Sequence, residues 1–139
     1  MEKVLFVCVG NSCRSQMAEA FARAYGRDVL EAQSAGLYPA RSVSRMTLEV
    51  MAEKALDLKG QYPKGLSEIE LHDFDLVVNM SGFMLPEEVK GRVLHWEIPD
   101  PIGGKKETYR RVSADIEARI KDLIAALRGA PGNGSGEKR

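Results

Sequence analysis

The sequence predicts an α/β domain, a mostly parallel sheet with helices on both faces. Three observations predict it. Strand-like apolar runs recur at residues 3–9, 29–34, 75–80 and 92–98. Helical patterns lie between them. A long one-sided apolar stripe then closes the pattern at residues 105–128. At 139 residues the chain suits one compact domain with a real core. That domain is expected over 1–129, with 130–139 as a flexible tail, because Pro131-Gly132-Asn133-Gly134-Ser135-Gly136 has almost nothing to bury.

The first helical pattern, 16–25, places Met17, Ala18, Phe21, Ala22 and Tyr25 at helical spacing, and Gly26 suits a helix stop. The second, 42–56, repeats it with Val43, Met46, Val50 and Met51. A short helix is expected from Ser67, with Glu70 at the capping-box position. Another is expected from Pro86, a residue suited to a first helical turn. In the last helix Tyr109, Val112, Ile116, Ile120, Leu123, Ile124 and Leu127 form one stripe opposite a charged face. Such a helix covers a sheet face.

Composition narrows the function classes. Lys+Arg and Asp+Glu are both 20, which gives no extended nucleic-acid surface. No apolar run is long enough to span a bilayer, and the start of the chain carries no signal-peptide pattern, so a cytoplasmic location without membrane partners is expected. The two cysteines are Cys8 and Cys13; a structural disulfide between them would constrain little of the unfolded chain. His72 and His95 lack ligand spacing, so no metal and no cofactor is expected.

The chemistry is concentrated in Cys8-Val9-Gly10-Asn11-Ser12-Cys13-Arg14-Ser15. A cysteine stands at the end of a strand, and an arginine closes the following loop at the mouth of a helix. Consecutive backbone N–H groups and a helix start attract anions and favour thiolate. Val9, Gly10, Asn11, Ser12, Cys13 and Ser15 would wrap a tetrahedral oxyanion. Cys8 would attack its central atom, and Arg14 would grip two of its oxygens through a planar fork. Gly10 and Asn11 tolerate the positive φ that a tight loop needs. Ser15 has a second reading as a helix cap, and Cys13 reads equally as packing or as a redox partner of Cys8. A reversible Cys8–Cys13 disulfide that shields Cys8 from overoxidation is a further expectation.

The segment 4–15 resembles the active-site segment of the low-molecular-weight protein tyrosine phosphatases and of the arsenate reductases that share their fold. What is shared is Cys-x5-Arg-Ser directly after the first strand. The resemblance implies a four-stranded, flavodoxin-like sheet and a phosphocysteine intermediate. It implies that Ser15 donates to the sulfur, that Ser34 in Ser34-Ala35-Gly36 supports the loop through Asn11, and that Asp100 in Asp100-Pro101 is the general acid.

Departures from the phosphatase pattern are specific. Ile102-Gly103-Gly104 stands where tyrosines often grip aromatic substrates, and Ser81 stands where an acidic residue is frequent. Tyr38 or Trp96 could wall the pocket instead, or could simply pack. Ser15-Gln16-Met17-Ala18-Glu19 and His95-Trp96 resemble the reductase branch. Yet the two further cysteines of thioredoxin-linked reductases are missing from residues 79–84.

The sequence alone favours phosphomonoester hydrolysis, on a phosphorylated protein or a small phosphomonoester. The alternative is arsenate reduction with an external thiol of glutathione, mycothiol or glutaredoxin type, or with Cys13 resolving the adduct. An anion sensor or redox-regulated binding module built on the same loop is the third reading.

Overall fold

The computed structural model describes residues 1–86, 89 and 92–129. Its elements are β1 (Glu2–Cys8), α1 (Arg14–Tyr25), β2 (Leu30–Gly36), α2 (Arg45–Glu53), β3 (Leu76–Asn79), β4 (Arg92–His95) and α3 (Lys106–Leu127). The four strands form one all-parallel sheet in the order β2-β1-β3-β4. The chain leaves β1 towards β2 on one side and reaches β3 on the other. The carboxyl end of β1 is therefore the switch point of the sheet, where ligands bind in this architecture.

Consecutive residues of β1 explain why the sheet is buried on both faces. Val4, Phe6 and Cys8 point into a core built with α1, α2 and α3, whereas Leu5 and Val7 point into a second core with Ala35, Phe74 and Val77. A strand buried on both sides needs the continuous apolar run seen at residues 4–7. Each large side chain removed from water contributes about 1.5–3 kcal/mol. The α face takes all three helices. The opposite face is covered by a segment with two 3-10 turns, Leu66–Glu68 and Leu71–Asp73.

Several expected boundaries move. α1 begins at Arg14 rather than 16, so Arg14 and Ser15 lie in its first turn. β2 continues to Gly36, and β4 ends at His95 rather than 98. α2 is shorter than 42–56; Ser44 caps it, accepting from Thr47 N at 3.1 Å. The short helix expected from Ser67 is a 3-10 turn starting at Leu66. Its box is closed by Glu68, whose carboxylate accepts from Gly65 N at 2.8 Å, and not by Glu70. The helix expected from Pro86 and the tail 130–139 lie outside the described residues.

Gly26 does end α1, but for a packing reason. A Cβ there would lie 2.7 Å from the Ile124 side chain. The absent side chain lets α1 and α3 close on each other. Arg128 then clasps Asp28 through two hydrogen bonds, at 2.7 and 2.8 Å.

Candidate active site

Residues 9–13 leave the end of β1 and turn back into α1. All six carbonyl oxygens from Cys8 to Cys13 accept a hydrogen bond. Leu37 N donates to Cys8 O at 3.1 Å, Tyr38 N to Val9 O at 2.8 Å, Ala40 N to Gly10 O at 2.9 Å and Ser44 N to Ser12 O at 3.0 Å. Gln16 Nε2 donates to Asn11 O at 3.0 Å, and Met17 N to Cys13 O at 2.8 Å. Among the described residues, no protein acceptor takes the amide hydrogens of Gly10, Asn11, Ser12 or Cys13. Buried amides without partners are costly, and a run of them is a geometry suited to an anion.

One residue carries the tight geometry. Asn11 has φ 51°, in the left-handed region; Gly10 does not, contrary to its expected role. Asn11 Oδ1 accepts from Lys64 N at 3.0 Å, and its Nδ2 donates to Ser15 Oγ at 2.7 Å and Ser34 Oγ at 2.9 Å. The loop rests directly on Gly36, where a Cβ would lie 2.7 Å from Val9 O and 2.9 Å from Asn11 N.

Cys8 Sγ lies 2.9 Å from Ser15 Oγ. Ser15 Oγ already accepts from Asn11, so its proton is free to point at the sulfur. The helix-cap reading of Ser15 is excluded, since Cys13 holds the N-cap position and Ser15 is helical.

Arg14 is buried, 5 % exposed. Its Nη1 donates to Met80 O at 2.6 Å and Ile98 O at 3.0 Å, beyond the ends of β3 and β4. Among the described residues its Nε and Nη2 make no hydrogen bond to protein. These are the two nitrogens of the guanidinium fork that grips paired oxygens. Asp100 Oδ2 stands 3.6 Å from Nη2 on a half-exposed side chain. Cys8, Arg14, Asp100 and the loop are thus brought together.

The Cys13 thiol is buried, and burial pushes its pKa up to about 12 against the opposing hydrogen bond with Thr47. It is a poor nucleophile at neutral pH, which favours its packing role. Trp96 is packed, its ring 6.3 Å from Phe6 and under Arg119. Tyr38 is 77 % exposed and lines a groove of about 1000 Å³ with Leu66, Ile69 and Phe83.

Sequence reasoning missed four partners. Gln61 Nε2 donates to Gln16 Oε1 at 2.7 Å, holding the amide that holds Asn11. The Met80 and Ile98 carbonyls left no sequence signal, because any residue supplies a carbonyl. Glu19, buried and bonded to Ser34, did leave one: it stands four residues after Ser15, on the same helix face.

Comparisons with known proteins follow this geometry. A family model described as low molecular weight phosphotyrosine protein phosphatase matches residues 3–88. A relative from Synechocystis sp. named glutaredoxin arsenate reductase is 35% identical over 131 residues, 91% of this chain and 99% of the relative. A solved arsenate reductase in the phosphate binding state superposes with TM-score 0.85 at 35% identity, covering 91% of this chain and 99% of that one. An arginine phosphatase from Geobacillus stearothermophilus does so with TM-score 0.82 at 26% identity, covering 94% and 95%.

Proposed function

The chain belongs to the low molecular weight phosphotyrosine protein phosphatase family, and on that footing we propose that it reduces arsenate, with Cys8 as nucleophile and a thiol from outside the chain as reductant. The observation that carries the reading is the cradle of unpaired amides around Cys8, in a chain that is 35% identical, along nine-tenths of its length, to a protein named for that reaction. The sequence alone put phosphomonoester hydrolysis first. The relatives' names reverse that order.

The residues divide the work as follows. The amides of residues 10–13 and the Nε/Nη2 fork of Arg14 bind the oxygens of arsenate. The Cys8 sulfur attacks arsenic, and one oxygen leaves as water after protonation by Asp100. An external thiol then attacks the Cys8 sulfur. The S–As electron pair stays on arsenic, which departs as arsenite, and a Cys8 mixed disulfide forms. A second thiol releases Cys8 and carries away the oxidised disulfide, so two thiols supply the two electrons. The external source follows from this chain's own cysteines: it has two, and the Cys13 thiol is pushed up to about 12. A cytoplasmic setting, with its reduced thiol pool, belongs to the same proposal.

Phosphomonoester hydrolysis is the second reading, favoured by Asp100 standing 3.6 Å from Arg14 as an acid for a leaving oxygen. The same cradle would hold phosphate, and water would then release the phosphocysteine.

One experiment separates them. The reduced protein is given arsenate with glutathione and glutaredoxin, and in parallel para-nitrophenyl phosphate, each beside a Cys8→Ser control. Arsenite production lost in the control supports reduction. Hydrolysis without arsenite production makes it a phosphatase. Phosphate binding without either turnover leaves the anion sensor.

A further inference from the structure

Arg14 is aimed by two carbonyls. Among the described residues its hydrogen bonds to protein go to Met80 O at 2.6 Å and Ile98 O at 3.0 Å. It also borders a cavity of about 460 Å³, lined by Asn79, Ser81, His95 and Glu97 among others, so packing alone does not set its direction. We propose that Asn79 is a positioning residue: its side chain locks the peptide that turns the Met80 carbonyl towards Arg14, and so sets the fork that grips the oxyanion. This rests on Arg14 as the oxyanion clamp, common to both readings above, and not on the identity of the substrate.

The sheet cannot hold that peptide itself. β3 ends at Asn79. The peptide between Asn79 and Met80 is still held by strands: Trp96 N donates to Asn79 O at 3.0 Å, and Met80 N donates to Val7 O at 2.7 Å. The next peptide, between Met80 and Ser81, lies past the ladder, and among the described residues no backbone group bonds either side of it. A trans peptide is planar, and its N–H and C=O point opposite ways. Fixing the Ser81 N–H on one side therefore fixes Met80 O on the other. Asn79 Oδ1 accepts from Ser81 N at 2.9 Å, an Asx turn, and Met80 O meets Arg14 Nη1.

The Asn79 side chain is buried, and its amide has one orientation. Nδ2 donates to Phe83 O at 2.8 Å, and Oδ1 accepts from Ser81 Oγ at 2.7 Å as well as from Ser81 N. A flipped amide would set its NH2 against the Ser81 N–H. Phe83 N donates to Ser81 Oγ at 3.0 Å, which closes the turn over residues 79–83. An aliphatic side chain at 79 would leave the buried Ser81 N–H without a partner. The peptide then rotates to find one, and the Met80 carbonyl leaves Arg14.

The test compares Asn79→Thr with Asn79→Val. The two share a shape and differ in a hydroxyl, which can accept from the N–H two residues on, as the asparagine does. Ser81→Ala is the control, because it keeps the Ser81 N–H and removes only the hydroxyl bonds. Phosphate binding is measured by calorimetry on all three and on the native chain. Cys8 is then alkylated at one pH with iodoacetate, an anion, and with iodoacetamide, its neutral counterpart, and the modified cysteine is located by peptide fragmentation. The ratio of the two rates reads the fork over the sulfur, whereas a general loosening of the loop moves both rates alike.

Asn79→Val is expected to bind phosphate about tenfold more weakly, with native circular dichroism and a similar fall in its preference for iodoacetate. Asn79→Thr recovers most of both, and Ser81→Ala retains both. If the branched pair does not fold, Asn79→Ser against Asn79→Ala gives the same comparison. Native affinity in folded Asn79→Val overturns the proposal, and so does a loss that Asn79→Thr shares in full. An equal loss in Ser81→Ala also overturns it, because the turn as a whole would then aim Arg14. A native chain that does not bind phosphate removes the clamp reading of Arg14 and the proposal with it, a failure distinct from the others.

Discussion

Asp100 Oδ2 faces Arg14 Nη2 at 3.6 Å, beyond hydrogen-bond reach, so this carboxylate sits against the fork that holds the oxyanion in the proposed reaction. The relationship cuts both ways. In the proposed reaction the carboxylic acid gives a leaving oxygen its proton, whereas the ionised carboxylate opposes the anion that brings that oxygen in. Asp100→Asn is therefore expected to tighten phosphate binding while slowing turnover. For an alkyl phosphomonoester, a poor leaving group, kcat should fall about 10²- to 10⁴-fold. The loss on para-nitrophenyl phosphate should be smaller. Calorimetric titration with phosphate and kinetics on both esters measure the two halves, and equal losses on the two esters would remove Asp100 as the acid.

Arg14→Lys should fail twice. A lysine is a point charge without the fork, and it cannot span the Met80 and Ile98 carbonyls while gripping a ligand. Turnover should drop at least about 10²-fold. Stability should fall by roughly 1.5–3 kcal/mol, as for hydrogen bonds to a charged group. Urea melts with and without phosphate check it: phosphate stabilises the native chain and leaves the variant unmoved.

At Gly36 a methyl group has nowhere to go, since its contacts at 2.7 and 2.9 Å are backbone atoms of the loop. Gly36→Ala should abolish phosphate binding by displacing Val9 and Asn11, and cost about 1–3 kcal/mol of stability. A folded variant that binds phosphate normally would show that the loop is more pliant than its bonds imply.

Cys13→Ser should retain turnover with an external thiol to within a few-fold, because burial pushes the Cys13 thiol up to about 12 and keeps it protonated at neutral pH. For the same reason mild peroxide should give Cys8 adducts with the external thiol rather than a Cys8–Cys13 disulfide. Abolished arsenite production in Cys13→Ser, with phosphate binding intact, would restore it as the resolving cysteine.

Glu117, on α3, supplies a pH-dependent contribution far from the site. Burial opposes its charge, but Lys54 Nζ at 2.8 Å and the Tyr25 hydroxyl at 2.6 Å outweigh it and hold the carboxyl below the usual range. A lowered folded-state pKa stabilises above the unfolded value and is lost as pH falls through the folded one. Glu117→Gln should thus cost about 1 kcal/mol at neutral pH. Its melting curve should converge on the native one as acidification passes below the ordinary carboxylate range. A gap that stays constant down to strong acid would rule out this linkage.

How much was legible in the sequence differs by element. The stripe from Tyr109 to Leu127 sets α3 almost to the residue, because helical periodicity is strong over 22 residues. The 3-10 turn at Leu66–Glu68 was misplaced because three residues carry no period, and Glu68 and Glu70 both stand at plausible box spacings. The order β2-β1-β3-β4 depends on connections that local spacing does not encode. At the site, Cys8, Arg14 and Asn11 are legible because a motif fixes them within eight residues. The Met80 and Ile98 carbonyls and Gln61 are not, because they reach the loop from other parts of the chain, and their contribution lies in backbone position or in an unremarkable amide.

Arg14 reaches from the first turn of α1 to chain beyond β3 and β4, which makes it a tie-bar as well as the ligand hook of the proposed reaction. Substitutions around Ile98, beyond the end of β4, thereby gain leverage over affinity in the proposed site. Variation can retune the grip of this pocket from its far wall while the signature loop stays letter-perfect.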